Sequence, residues 1–187
     1  MYILRFDGLF RPVSGAKRSA TKAGIMCYGW LIFKNNILVA RGHGAFAHAN
    51  EASSNMAEYL ALLEGLEALS DMGVRKQPVL VMGDAKTVID QMTGEAAVNT
   101  SAARVLHRRA AQLARGFSNL SWRWTPRQFN READKLTRRA MNSLRFDRAE
   151  YLAALAGCQN GDREFCRTRG MVPLVDFRVY QPAGFAL

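Results

Sequence analysis

Four acids, Asp7, Glu58, Asp84 and Asp134, stand where chemistry explains them better together than structure does singly. Glu58 is the sharpest case. In residues 53–69, SSNMAEYLALLEGLEAL, Leu62, Leu66 and Leu69 recur at the helical period and mark a buried face. Glu58 lies on that face, four residues before Leu62 and one turn from the helix start. Burying a carboxylate unpaired is costly, so Glu58 calls for hydrogen-bond partners or a cation. Asp7 and Asp84 fall at or near the ends of apolar runs, and Asp134 falls in the first turn or so of a second helical stretch. Two strand ends and two helix starts can meet at one sheet edge. Clustered carboxylates repel, and without a cation some of them take up protons. Hard divalent cations with oxygen ligands remove that penalty, and Mg²⁺ binds through a few carboxylates, waters and substrate phosphate. Two such ions roughly 3.5–4 Å apart can activate a water and stabilise the leaving oxygen of a phosphodiester. Each acid also has an ordinary reading alone. Asp7 can be a turn acid before Gly8, Asp84 a helix cap, and Asp134 the i,i+4 partner of Arg138.

The elements that must carry these acids are legible from patterning. Residues 2–9, with Tyr2, Leu4 and Phe6 on one face and Asp7 on the other, predict a strand. Residues 24–33 and 37–46 predict two more, joined by Lys34-Asn35-Asn36, a connection short enough for a hairpin. The Glu58 helix follows, with Ser54 as its expected cap and Gly73 shortly past its end. Residues 77–84, QPVLVMGD, are almost wholly apolar, which marks a strand covered on both faces and therefore parallel. A short helix over 85–92 comes directly after. The helical stretch 99–116 turns Val105, Leu106 and Leu113 inward and Arg104, Arg108, Arg109 and Arg115 outward. Residues 120–126 predict a fifth strand. Asn130 is expected to cap a last helix whose packing side is Ala133, Leu136 and Ala140. Beyond residue 146 the pattern weakens, with a further helix over 147–157 and an edge-like alternation in LVDFRVY at 174–180. Ligand sites of such sheets gather beyond the carboxyl ends of the parallel strands.

Composition narrows the partners. A net charge of +10 on 187 residues favours phosphate-rich partners, nucleic acid before membrane. Cys27, Cys158 and Cys166 are too few and too scattered for a disulfide framework or a CxxC metal pair, so they read as buried thiols of a cytoplasmic protein. No apolar run approaches membrane-spanning length.

FDG at 6–8, NMAEYLALLEGLEAL at 55–69, GDAKTVID at 83–90 and NREADKL at 130–136 resemble the four signature blocks of type 1 ribonuclease H, in order and at comparable spacing. The resemblance covers roughly residues 2–144. It implies an α/β, ribonuclease H-like fold with a five-stranded mixed sheet of order 3-2-1-4-5 flanked by helices on both faces. That domain would occupy residues 1–145, with a C-terminal extension over 146–187. The resemblance further implies a metal-dependent endonuclease that hydrolyses the RNA strand of RNA/DNA hybrids by a two-metal-ion mechanism. Asp7, Glu58, Asp84 and Asp134 become the catalytic acids and the ligands of two Mg²⁺ or Mn²⁺ ions. Asn55 matches a position that contacts the minor groove of the hybrid. Two other readings compete: a nuclease of the same fold acting on another nucleic acid, and a non-catalytic nucleic-acid-binding domain.

The chain departs from the family pattern in places. Many bacterial members carry a histidine in the loop before the last acid; here that loop is TPRQFNREAD, with Arg127 or Gln128 in the neighbourhood. His43 and His48 are expected on the loop leading to the Glu58 helix. The basic handle helix of many bacterial members is missing, which leaves Arg104 and Arg108, with Arg109 and Arg115, to supply affinity for the hybrid. Lys86, two residues after Asp84, is placed to reach a phosphate. The loop after Asp7 is long and basic, with Arg11, Lys17, Arg18 and Lys22.

Overall fold

A computed structural model describes residues 1–12, 23–48, 52–147 and 171–180, with isolated positions between 149 and 156. Lys17, Arg18, Lys22, Cys158, Cys166 and most of the helix expected over 147–157 lie outside the described residues. In chain order the elements are β1 (Tyr2–Pro12), β2 (Gly24–Lys34), β3 (Ile37–His48), α1 (Ser54–Asp71), β4 (Val79–Gly83), α2 (Lys86–Thr93), α3 (Ser101–Ala114), β5 (Leu120–Trp124), a 3-10 turn at Arg127–Phe129, α4 (Arg131–Phe146) and β6 (Met171–Tyr180).

One sheet of order β5-β4-β1-β2-β3-β6 forms the middle layer. Strands β1, β2 and β3 make the expected antiparallel meander, and β4 and β5 add in parallel beside β1. The β2–β3 hairpin turns at Asn35 and Asn36, with φ of 50° and 67°. Positive φ at both central residues is what a two-residue turn of the I′ type demands, and Asn tolerates it. The apolar run of β4 is buried on both faces, as a strand inside a covered parallel pair must be.

The two faces are covered by different helices. Helix α1 lies against Leu4, Phe6, Met26, Tyr28, Trp30 and Ile32, and α3 covers its other side with Ala103, Leu106 and Ala110. A helix held between two layers is apolar nearly all round, which is why α1 buries eleven of its residues. On the opposite face, Ala133, Leu136, Ala140, Met141 and Leu144 of α4 pack on Ile25, Cys27 and Leu31. Burial pushes the Cys27 thiol up to about 12, so it is an inert core group. No helix among the described residues is long and apolar enough to cross a membrane.

Several expectations are corrected. The sheet has six strands, not five, because Met171–Tyr180 pairs antiparallel along β3 from His48↔Met171 to Ala40↔Tyr180. The alternation in LVDFRVY was an edge strand of this same sheet. The cap of α1 is Ser53, whose hydroxyl accepts from the Met56 N–H at 3.2 Å, rather than Ser54. Val105 is 44% exposed, while Ala103 and Ala110 take the inward positions with Leu106. His43 and His48 belong to β3, where both are buried, and not to a loop.

β6 is tied to the rest through a polar cluster. Arg178 donates to Glu64 of α1 at 2.5 Å and to Asp176 at 3.2 Å, and the Tyr28 hydroxyl donates to Asp176 at 2.9 Å. Only 13% of the Glu64 side chain is exposed. Burial pushes Glu64 up to about 7 against the opposing pull of Arg178. Arg178→Ala would strand that acid, costing about 2–3 kcal/mol for a partly buried pair and lowering Tm by roughly 5 °C or more. Thermal denaturation checks this. Glu64→Gln together with Arg178→Ala should cost less than Arg178→Ala alone; a double variant as unstable as the sum of its parts contradicts the pairing.

Candidate active site

Register brings the first two acids together. Phe6 of β1 pairs with Gly83 of β4, so Asp7 and Asp84 each follow one residue later, where that parallel pairing ends. β1 itself runs on to Pro12 against β2, so Asp7 lies within its strand and not at the expected end. Glu58 arrives from above. A Cβ added at Gly8 would lie 2.2 Å from the Glu58 backbone nitrogen, so glycine there lets the first turn of α1 settle directly on β1. The Gly8 N–H in turn hydrogen-bonds the Glu58 carboxylate. Carboxylate oxygens of Asp7, Glu58 and Asp84 all lie within 4.8 Å of one another.

Asp134 is held differently. It stands in the first turn of α4 and accepts from Arg138 Nε at 2.8 Å and Arg127 Nη2 at 2.9 Å. The structure therefore gathers three of the four expected acids in one group and pairs the fourth with two guanidiniums beside it. The i,i+4 contact with Arg138, the ordinary reading of Asp134, is present.

Electrostatics follow from this placement. Burial first, then the charges of Asp84 and Asp134, push Asp7 up to about 7; it is only 4% exposed. Burial, with Asp7 and Asp84 as further causes, pushes Glu58 well above the usual carboxylate range. Hydrogen bonds from Arg138 and Arg127 hold Asp134 below it. Glu58 Oε2 is shut off from solvent and has no hydrogen-bond partner among the described residues. Three convergent acids, one with an unmet buried oxygen, form a group able to hold a hard divalent cation.

Second-line residues fix the acids. Asn130 Nδ2 donates to Asp84 Oδ1 and to the Phe6 carbonyl, both at 2.8 Å. Asn130 occupies the position before α4, but its side chain makes no capping bond. Thr137 Oγ1 lies 3.2 Å from Asp7 Oδ2 and 2.8 Å from the Asp134 carbonyl. A Cβ at Gly29 would fall 2.7 Å from Leu136 Cβ, so the bare glycine lets α4 approach closely enough for this contact. The Trp124 indole donates to the Asp84 carbonyl at 3.1 Å. Sequence reasoning passed over Thr137, although a hydroxyl between Ala133 and Ala140 on a packing stripe is the same signal that exposed Glu58.

The remaining expected residues are more peripheral. Lys86 is exposed and pairs with Asp90 on its own helix at 2.7 Å. Asn55 is half-buried in the first turn of α1. Arg104 and Arg108 lie on the outer side of α3 with local hydrogen bonds, to the Val98 and Arg104 carbonyls. His43 sits 5.0 Å from the Phe177 ring, and burial pushes its pKa down.

The model of a family described as reverse transcriptase-like matches residues 14–140. The chain belongs to that family. Among the relatives of this reverse transcriptase-like chain, a ribonuclease HI of Halobacterium salinarum is 33% identical over 129 residues, covering 68% of this chain and 61% of that protein. A bifunctional protein of Mycobacterium tuberculosis is 35% identical over 92 residues; the match spans 49% of this chain and only 25% of the mycobacterial protein. In three dimensions, RNase H1 from Halobacterium salinarum superposes with a TM-score of 0.62 at 31% identity, covering 76% of this chain and 98% of that one. The N-terminal RNase H domain of the mycobacterial protein gives 0.64 at 27% identity, covering 76% and 94%. These neighbours are ribonuclease H enzymes, and their fold is the one described above.

The crowded acids make a pH prediction for the metal-free protein. Asp7 moves from an ordinary value of 3.8 to about 7 on folding, so between those values the folded chain holds a proton that the unfolded chain releases. Its share of stability is full below about 4 and lost as pH rises through 7. With chelator present, Tm should fall from pH 5 to pH 8, and Asp7→Asn should flatten that slope. A wild-type Tm that rises toward pH 8 would contradict the crowding.

Proposed function

We propose that this chain is a metal-dependent endoribonuclease that cleaves the RNA strand of RNA/DNA hybrids. The observation that carries the reading is the meeting of Asp7, Glu58 and Asp84 from three separate elements within 4.8 Å, in a chain whose relatives include a ribonuclease HI. Asp7, Glu58 and Asp84, with Asp134 beside them, would hold two Mg²⁺ or Mn²⁺ ions. When bound, such ions supply Lewis-acid charge and an acidified water for phosphodiester hydrolysis.

The chain's own residues supply the rest. Asn130 and the Gly8 N–H fix the orientations of Asp84 and Glu58, and Thr137 fixes Asp7. While metal-free, Asp7 is pushed up to about 7 and Glu58 well above the usual carboxylate range, so entry of a cation displaces protons from this pair. Arg127 and Arg138 hold Asp134 and present positive charge at the mouth of the site. RNA is told from DNA by its 2′-hydroxyls in a wide, shallow minor groove, and Asn55, three residues before Glu58, is the side chain we assign to that contact. Lys86, Arg104 and Arg108 add affinity for the backbone. The surplus of ten positive charges makes binding strongly salt-dependent.

The test is cleavage of an end-labelled RNA/DNA hybrid with Mg²⁺, with Mn²⁺ and with chelator, beside duplex RNA and duplex DNA. Cutting of the RNA strand of the hybrid only, abolished by chelator, is expected. Asp84→Asn should lower kcat by on the order of a hundredfold or more, since several kcal/mol of charge stabilisation is at stake. Metal-independent cutting, or full activity in Asp84→Asn, overturns the assignment.

A further inference from the structure

The 3-10 turn and the first two turns of α4 enclose a cleft of about 550 Å³ lined by Arg127, Gln128, Arg131, Asp134, Lys135 and Arg138. Four of the six carry positive charge and one negative. Arg127 and Arg138 both pair with Asp134 and leave one positive charge over. Arg131 and Lys135 are exposed and form no ion pair or side-chain hydrogen bond with any described residue. Arg131, Lys135 and Arg138 follow one another at i, i+4 and i+7, which sets all three on one face of the helix, one turn apart. Like charges gathered at that spacing repel, and an anion of matching length relieves the repulsion. The cleft opens beside the acids: Asp134 is shared by both, and Asn130, between Gln128 and Arg131 in sequence, binds Asp84. Phe129 is 61% exposed on the same turn, a large apolar ring beside cationic groups.

We infer that this cleft is a subsite for two backbone phosphates of the strand that enters the acid site, with the Phe129 ring stacked on a neighbouring base. The inference rests on the proposed nuclease reading and deepens it by fixing the path of the strand along α4. Arg131 and Lys135 each neutralise one phosphate. Phe129 contributes affinity without neutralising charge, because every base offers a π-face.

Salt dependence separates these contributions. Affinity for a labelled RNA/DNA hybrid is measured with Mg²⁺ between 50 and 200 mM salt, in an Asp84→Asn parent that leaves the substrate uncut. Each phosphate contact contributes about 0.9 to the slope of log K against log salt. Arg131→Gln with Lys135→Gln should weaken binding by roughly tenfold or more and flatten the slope by about two. Phe129→Ala should weaken binding on the order of tenfold at unchanged slope. Lys34→Gln with Lys76→Gln, the same charge change at the opposite end of the sheet, should leave the slope nearly as it was. Equal effects of the two double variants would overturn the inference, as would an unchanged slope for the α4 pair or full affinity in Phe129→Ala. A wild type that cleaves hybrid while the α4 pair binds like the parent removes the subsite alone; a wild type that neither binds nor cleaves hybrid removes the nuclease reading with it.

Discussion

Mutual repulsion among three carboxylates is the constraint that the architecture answers. At separations within 4.8 Å, two ionised carboxylates repel by about 3.5 kcal/mol or more at an effective dielectric of ~20, and Asp7 and Glu58 sit largely out of water besides. Asn130, Thr137 and the Gly8 N–H orient the acids. What brings them together is the hydrogen-bonded parallel register of β1 with β4, and helices seated so tightly that only glycine fits at positions 8 and 29. The core on both faces of the sheet therefore stabilises an arrangement that is unfavourable in itself, as is common where a fold is organised around charge chemistry.

Charge is also graded in space. The acids lie at the floor, Asp134 stands at the boundary between two guanidiniums, and unpaired cations continue along α4. A polyanion approaching such a surface meets attraction first and acids only at the point of contact. Ten surplus positive charges favour a polyanion's approach, while the acidic floor is a place where phosphate is tolerated only together with cations.

Much of this was legible in the residues because the periodicities were strong. The apolar run of β4, the Asn35-Asn36 turn and the acid on the buried face of α1 each carry one dominant signal, and the structure follows them. Where two signals compete, reading in one dimension falters. Val105 has the right hydrophobicity for an inward position, but the small side chains of Ala103 and Ala110 fit the α1–α3 contact better. Asn130 has the type of a cap and instead spends its amide on Asp84 and Phe6, a choice set by tertiary neighbours. The sixth strand was visible as alternation, yet its partner, more than a hundred residues earlier, was not.

That last strand has a consequence for the molecule's dealings with its own kind. β3 is twelve residues long, and its outer side would otherwise offer a ladder of unsatisfied amides and carbonyls to any passing polypeptide. Met171–Tyr180 fills those bonds from within the same chain. The open edge thereby passes to a strand that carries Pro173 and a register shift, and both make it a poorer template for a neighbouring copy than an uninterrupted β3 would be.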